Sequence, residues 1–430
     1  MWWLIALGDG ARCRKAIARY VALTAVSLML AWPAAAQAQP GAVDQETVRR
    51  LIERVEELER QVRELRQSAA PSLDVSSPQA ERPATNGDPS PTTEHDAHMG
   101  DVTSPDARVT PVADIHWFGD VGARASDQLN DTSSFTLGQL DLFLTSSLTE
   151  HLNVLSEIVF RAGADNRYVV NAERLLLQYA PNPYLTVGVG RYHTAIGFYN
   201  TAYHHGAWFE TAINRPTMFA YSGGLIPIHD VGVMASGRVP SGSLGLHYVL
   251  EIGNGRTSQN ASNEATQNTV DENNGKAFNV GLFARPERFP GMQVGFSTHH
   301  DRMKPANAAF SDQTTIAVHA VYQGTAFEWL SEVVTVRSTR TRPAPDSVTT
   351  GLYTQVSRQF GEARPYFRYQ YLNASADDAL FRTLGRRNGP TLGLRYDMGK
   401  FAAVKAQYDR LMRRALPTVN SLTGQLAFTF

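Results

Sequence analysis

The sequence predicts an all-β protein, a transmembrane antiparallel β-barrel of about 16 strands preceded by a short α-helical coiled coil and a disordered linker. Three observations support this fold class. Residues 113–430 alternate apolar and polar side chains over runs of about ten residues. Tight turns and longer polar connections succeed one another through this region. An export signal opens the chain, and no later stretch offers the roughly 20 consecutive apolar residues of a membrane-crossing helix.

Composition narrows the function classes. The 40 Lys and Arg residues nearly balance the 41 Asp and Glu residues, so the formal net charge is -1 and a broad basic field for nucleic acid is excluded. The single cysteine, Cys13, lies in the segment that we expect to be removed. The exported protein must then be stable without disulfides.

Residues 1–38 read as a signal peptide. Arg12, Arg14, Lys15 and Arg19 precede an apolar run of 13 residues, and Ala36-Gln37-Ala38 supplies a small-x-small cleavage site. The alternative is an N-terminal membrane anchor, but such a run is short for a ~30 Å hydrocarbon core. The pattern therefore favours cleavage and export.

Residues 39–67 are expected to form a periplasmic coiled coil. Six apolar residues follow heptad a and d spacing: Val48, Leu51, Val55, Leu58, Val62 and Leu65. Val at a and Leu at d favour a dimer, whereas Ile52 at an e position broadens the apolar face and favours a trimer. An amphipathic helix packed on its own barrel is the alternative. Residues 68–112 contain many Pro, Ser, Thr and Asp residues and are predicted to be a flexible linker.

The connections give the strand count. Seven look tight, near Glu150, Asn182, Ser241, Pro290, Gly324, Gly361 and Gly399. Eight longer polar connections lie between them, at about 127–133, 164–167, 200–229, 253–275, 300–312, 338–347, 373–388 and 412–422. Fifteen connections join 16 strands, and an even count with short turns at one end is typical of outer-membrane barrels.

The last strand, Gly424 to Phe430, has an apolar residue at every second position and ends in Phe. In this the sequence resembles the outer-membrane porin superfamily, whose terminal strand ends in Phe as a signal for barrel assembly. Val187 to Tyr199 is similar to the strand-to-loop segment of phosphate-selective-type and related porins. A coiled coil before a barrel is similar to some trimeric porins with N-terminal periplasmic helices. The resemblance implies a homotrimer among the lipids of a Gram-negative-type outer membrane.

Positions that alternate with the apolar face should line the lumen. They include charged residues of both signs: Glu157, Arg161, Arg174, Arg238, Glu251, Glu332, Arg368, Arg395 and Lys405, with Asp141, Arg285, Asp397 and Asp409. On the lipid side, each Arg or Lys near the midplane would cost about 2–4 kcal/mol. The pattern leaves open whether these charges pair within the wall or contact solutes. Anion-specific porins are expected to carry a ladder of Arg and Lys, so phosphate selectivity is not expected here.

The connection at about 200–229 is far more aromatic than an exposed loop should be. We expect it to fold into the lumen as a constriction, with His204, His205, Glu210 and Arg215 as its polar lining. The alternative is that it caps a neighbouring subunit.

The function that these patterns indicate is a porin: a passive diffusion channel for small hydrophilic solutes or ions. The alternative is a non-conducting barrel with a structural or partner-binding role in the cell envelope. No catalytic group, metal site or cofactor is expected. His299-His300-Asp301 and His204-His205 lack the helical spacing of a zinc site, and no Gly-x-Ser-x-Gly motif occurs.

Overall fold

The structure, a computed structural model, describes residues 60, 113–163, 167–203, 206–221, 223–256, 270–271, 273–303, 310–340 and 345–430. Sixteen strands form a closed antiparallel barrel in which each strand pairs with its neighbours in sequence and the first pairs with the last. This confirms the predicted all-β fold and its strand count. The signal peptide, coiled coil and linker predicted for residues 1–112 lie outside the described residues, Arg60 excepted.

The strands vary from 8 to 15 residues in length. They are β1 Ala113–Ser126, β2 Ser134–Ser147, β3 Leu152–Ala162, β4 Tyr168–Asn182, β5 Leu185–His193, β6 His229–Val239, β7 Leu246–Gly253, β8 Ala277–Ala284, β9 Met292–Met303, β10 Ser311–Gln323, β11 Phe327–Arg340, β12 Ser347–Arg358, β13 Ala363–Asn373, β14 Arg386–Met398, β15 Ala402–Arg413 and β16 Leu416–Thr429. Short helices α1 (Tyr199–Ala202) and α2 (Gly206–Phe209) lie between β5 and β6. In the described part of the chain, no helix has the length and apolar character to cross a membrane.

The seven predicted tight turns are confirmed at one end of the barrel. At the other end, one predicted loop is wrong. Residues 412–422 are not a long connection, because β15 continues to Arg413, β16 begins at Leu416, and only two residues join them. Ala415 in this turn adopts a left-handed φ of 58°. The polar residues here suggested a loop, but they belong to strands. Both strands extend beyond the apolar band of the barrel, where outward-facing side chains do not contact lipid and can be polar.

Alternation produces an apolar outer face. Leu392, Leu394 and Tyr396 of β14 and Leu250 and Ile252 of β7 are all exposed on it. Exposed aromatic residues cluster beside the tight turns: Tyr184, Phe289, Phe327, Phe360, Phe401 and Phe430. Such a ring of aromatic side chains is typical of the membrane interface.

The C-terminus closes the barrel. The Phe430 N–H donates to the Trp117 carbonyl at 3.1 Å, and the Trp117 N–H donates to the Phe430 carbonyl at 3.0 Å. The two rings stack with their centroids 6.2 Å apart. The terminal Phe is thus part of the seam between β1 and β16.

Candidate functional site

The connection between β5 and β6, residues 194–228, folds inside the barrel; we call it the inner loop. Ile196, Phe219, Leu225 and Ile226 on this loop are fully buried. It starts six residues earlier than the sequence suggested, since β5 ends at His193 and not at residue 199. Its aromatic residues are buried against its own barrel, which favours the first of the two placements predicted for this segment.

The inner loop packs on an apolar patch of the lumen formed by β10 to β13, which we call the apolar wall: Val321, Leu330, Val334, Val336, Tyr353 and Leu372. Phe219 stacks on Tyr199 at a centroid distance of 5.7 Å, and both rings meet Tyr353 edge-on. Apolar residues therefore occupy lumen-facing as well as lipid-facing positions of these strands.

Two glutamates of the barrel, one on β11 and one on β7, hold the first part of the inner loop through its backbone. Glu332 on β11 accepts hydrogen bonds from the Phe198 N–H at 2.6 Å, the Tyr199 N–H at 2.9 Å and the Tyr353 hydroxyl at 2.7 Å. Glu251 on β7 accepts the Ala195 N–H at 2.9 Å. The free N–H groups of a helical turn are natural partners for a carboxylate, so Glu332 fixes the start of α1.

The middle of the inner loop is held from β14 and β15. Arg395 donates to the Trp208 carbonyl at 2.6 Å and to the Glu210 carbonyl at 3.2 Å, and Lys405 donates to the Ala207 carbonyl. The Phe118 ring of β1 packs on Phe209 at 4.9 Å. Four predicted lumen residues, Glu251, Glu332, Arg395 and Lys405, thus contact the loop backbone.

Of the predicted constriction residues, Arg215 and Glu210 lie buried on the inner loop, whereas His204 and His205 lie outside the described residues. Arg215 donates to the Phe219 carbonyl at 2.8 Å and lies over the Tyr221 ring at 4.7 Å. Its nearest Glu210 oxygen is 3.9 Å away. Burial raises the pKa of the Glu210 carboxyl above its ordinary value of 4.5, against the opposing effect of Arg215 and Lys405.

Ionisable residues dominate the lumen side of β2 to β6, which we call the charged wall: Asp141, Glu157, Arg161, Glu173, Arg174, His193 and His229. A β-bulge where β3 pairs with β4 turns both Glu173 and Arg174 inward. The Arg174 Nε lies 2.7 Å from Glu157 Oε2, and His229 Nε2 lies 3.0 Å from Glu173 Oε2. Tyr221 of the inner loop faces this wall, since the Arg161 guanidinium lies 5.0 Å from its ring centroid.

A cavity of about 1250 Å³ lies between the inner loop and the tight-turn end of the barrel. Gly291 and Gly324 line it at the turns, Trp208 and Phe209 line it on the loop, and Arg174 and His193 line it on the charged wall. The cavity therefore extends from one mouth of the barrel to the edge of the charged wall.

The remaining residues that were predicted to line the lumen differ in their burial and in their partners. Arg368 of β13 is fully buried. Asp397 pairs with Arg395 at 2.7 Å, and Asp409 accepts from Thr391 at 2.6 Å. Arg238 and Arg285 are exposed at the tight-turn end. His299 and Asp301 are buried in the lumen, but His300 contacts Phe278 on the outer face, so the three side chains do not converge.

The sequence analysis did not predict several residues of the site. Glu173 was missed because the bulge breaks strict alternation in β4, and His193 and His229 were missed because they end one strand and start the next. Glu328, which accepts the Tyr203 hydroxyl at 2.8 Å, sits next to the turn at Gly324. The feature of the sequence that could have indicated these residues is an ionisable side chain within an otherwise apolar strand.

No family model matches the sequence, and no curated protein matches it. Solved structures do match. The anion-selective porin from Comamonas acidovorans superposes with a TM-score of 0.54 at 13% identity, over 75% of this chain and 100% of that one. The outer membrane channel DcaP of Acinetobacter baumannii gives 0.54 at 11% identity, over 75% and 99%. A loop-deletion mutant of OmpT, an outer membrane protein of Vibrio cholerae, gives 0.52 at 11% identity, over 74% and 99%. The chain has the porin fold.

Proposed function

We propose that this chain is an outer-membrane porin that lets small hydrophilic solutes or ions diffuse passively down their gradients. The observation that carries the proposal is the inner loop, which crosses a closed 16-stranded barrel and leaves a cavity of about 1250 Å³ beside charged side chains. A barrel built only to bind partners does not require a loop packed into its lumen.

The filter in this proposal is the cavity between the inner loop and the tight-turn end of the barrel. Trp208 and Phe209 form its loop side, and the charged side chains around it include Arg174, Arg395, Glu251 and Glu328. Charges of both signs around a narrow water-filled space select solutes by size, sign and dipole. The proposal includes no catalytic step and no cofactor.

Assembly and placement are part of the same proposal. The protein forms a homotrimer in the outer membrane of a Gram-negative-type envelope, with its tight turns and its N-terminal coiled coil in the periplasm. The ring of exposed aromatic residues beside the tight turns and the apolar outer face support a membrane position.

The test is electrical recording from the purified full-length chain in a planar lipid bilayer. Stepwise openings are expected, grouped in threes if the protein is a trimer, and a salt gradient gives the ion preference. The matched control is the same preparation after heat denaturation. A barrel that keeps its heat-modifiable mobility on a gel but passes no current would reject the channel and favour the non-conducting, partner-binding alternative.

A further inference from the structure

Arg368 on β13 is fully buried, and within the described part of the chain none of its three guanidinium nitrogens has a hydrogen-bond acceptor. The inner loop covers this place on the wall, since its Ile213 N–H donates to Gln407 at 2.9 Å and its Thr217 N–H donates to Gln370 at 3.0 Å. A guanidinium carries several N–H donors and a permanent charge, and buried groups of this kind are normally hydrogen-bonded. This position therefore calls for an acceptor from outside the chain.

Other arginines that are buried in the lumen have acceptors from the chain. The Arg174 Nε lies 2.7 Å from Glu157 Oε2. Arg256 donates to the Gly224 carbonyl at 3.3 Å. Arg368 thus differs from these two arginines in its partners and not in its burial.

The carboxylates on the neighbouring strands have donors of their own. Asp409 on β15 accepts a hydrogen bond from the Thr391 hydroxyl at 2.6 Å. Glu328 on β11 accepts one from the Tyr203 hydroxyl at 2.8 Å and one from the Gln355 amide at 3.1 Å. Thr391 and Gln355 are the residues that pair with Arg368 across β14 and β12, so the wall on both sides of the guanidinium directs its hydrogen bonds elsewhere.

Cations also outnumber carboxylates on the loop side of this place. Glu210 of the inner loop interacts electrostatically with Arg215, Lys405 and Arg368 together. The nearest Glu210 oxygen is 3.9 Å from Arg215, and both Arg215 and Lys405 donate to backbone carbonyls of the loop. Three buried cations thus share one loop carboxylate, and a further anion beside Arg368 would offset the surplus charge.

We propose that a chloride ion binds between Arg368 and the inner loop as a structural ion, which holds the loop on β13 and does not travel through the channel. A small monatomic anion suits the place because Arg368 is fully covered and does not line the cavity at the tight-turn end. Charge-assisted hydrogen bonds from the guanidinium would hold the ion. The inference goes beyond the proposed function and applies equally to a non-conducting barrel.

The experiment measures how long the folded, heat-modifiable gel band of the purified full-length chain survives at a fixed high temperature, in sodium chloride or in sodium gluconate of equal ionic strength. The half-life should be about tenfold longer in chloride at ten times its dissociation constant, because the unfolded chain has no such site. Arg368→Gln should lose this dependence on chloride, and Arg368→Lys, which keeps the cation, should retain part of it. The matched control is Arg256→Gln, which removes a buried lumen arginine with acceptors from the chain and should keep the full dependence.

A second measurement needs no variant and therefore holds even if Arg368→Gln does not fold. Crystals of the unaltered chain grown in sodium bromide should show anomalous scattering from a bromide ion in contact with the Arg368 guanidinium. An ordered water molecule there without a bromide signal would overturn the inference. Equal half-lives of the unaltered chain in chloride and gluconate would also overturn it, as would a dependence on chloride that persists in Arg368→Gln.

Discussion

The apolar wall and the charged wall hold the same loop in different ways. On β10 to β13, Phe219, Tyr199 and Ile226 belong to one buried apolar cluster with Val334 and Tyr353, from which water is excluded. On β2 to β6, Tyr221 meets Arg161, whose side chain keeps 28% of its accessible surface. The difference indicates that the barrel holds one side of the loop by apolar packing and contacts the other side through a part-exposed charged side chain.

Physical chemistry explains why the two walls are separate. Burial of apolar surface stabilises the protein by about 25 cal/mol per Å² and needs tight contact. Removing water from a charged group costs free energy. A charge among the apolar side chains needs hydrogen-bond partners, as Glu332 has in the N–H groups of Phe198 and Tyr199. Segregation lets apolar side chains anchor the loop on one wall and lets ionisable side chains pair with one another on the other wall.

The largest effect should follow loss of the aromatic anchor. Phe219→Ala removes a fully buried ring, and such truncations cost about 3–5 kcal/mol. Because the barrel closes through its own strands, we expect the inner loop to detach while the barrel persists, so single-channel conductance should increase severalfold with added noise. The matched control is Phe367→Ala on the lipid face, which should conduct normally. Unchanged conductance in Phe219→Ala would mean that the apolar wall does not anchor the loop.

A smaller effect is expected at the polar anchor on the same side. Glu332→Gln replaces one of the two acceptor oxygens by an amide that faces the N–H of either Phe198 or Tyr199, at a cost of about 1–3 kcal/mol. Amide hydrogen exchange at these two residues should accelerate, with brief excursions to higher conductance. Glu362→Gln on an exposed turn serves as the control. Slow exchange in both variants would show that packing alone holds α1.

The charged wall is tested by ion preference. Arg161→Gln removes a part-exposed cation of the charged wall, and a charge at ~4 Å in water contributes about 1 kcal/mol, so the cation-to-anion permeability ratio should increase by about two- to fivefold. Reversal potentials in a salt gradient measure it. Arg238→Gln removes an exposed cation at the tight-turn end and should change the ratio less. If the two variants shift the reversal potential equally, selectivity is set by net charge and not by the charged wall.

The two walls also show what the sequence could reveal. Strict alternation in β7 and β14 identified the lipid face, and Gly or Pro residues marked six of the seven tight turns, all except the one near Glu150. The loop's aromatic content correctly suggested burial. Alternation could not show that Val334 and Val336 face inward as a seat for Phe219, because the strand is apolar on both sides and either face could be the lipid face. Nor could it find Glu173, since a bulge depends on pairing between two strands. Glu332 and Lys405 could be recognised as partners of the loop backbone only once the course of the inner loop through the barrel was known.

The smallest effect is a pH dependence at Glu210, in the middle of the inner loop, which β14 and β15 hold. Burial raises the pKa of Glu210 from 4.5, although Arg215, Lys405 and Arg368 nearby and the Tyr199 hydroxyl favour its charged form. A carboxyl whose pKa is higher in the docked loop than in the free loop binds its proton more tightly when docked. Docking is therefore strengthened at a pH below 4.5, and that contribution is lost as pH rises through the raised pKa.

Glu210→Gln mimics the protonated carboxyl and should remove this part of the pH dependence. The measurement is the frequency of high-conductance excursions between pH 4 and pH 7 in both chains. In the unaltered chain the frequency should rise with pH, and the difference between the two chains should vanish at the acidic end, because the protonated carboxyl and the substituted amide then make the same neutral contacts. Differences that are constant over the whole range would mean that Glu210 acts through packing and not through its proton. A rise at acidic pH instead would mean that its charge pair with Arg215, 3.9 Å away, outweighs the burial of the carboxyl.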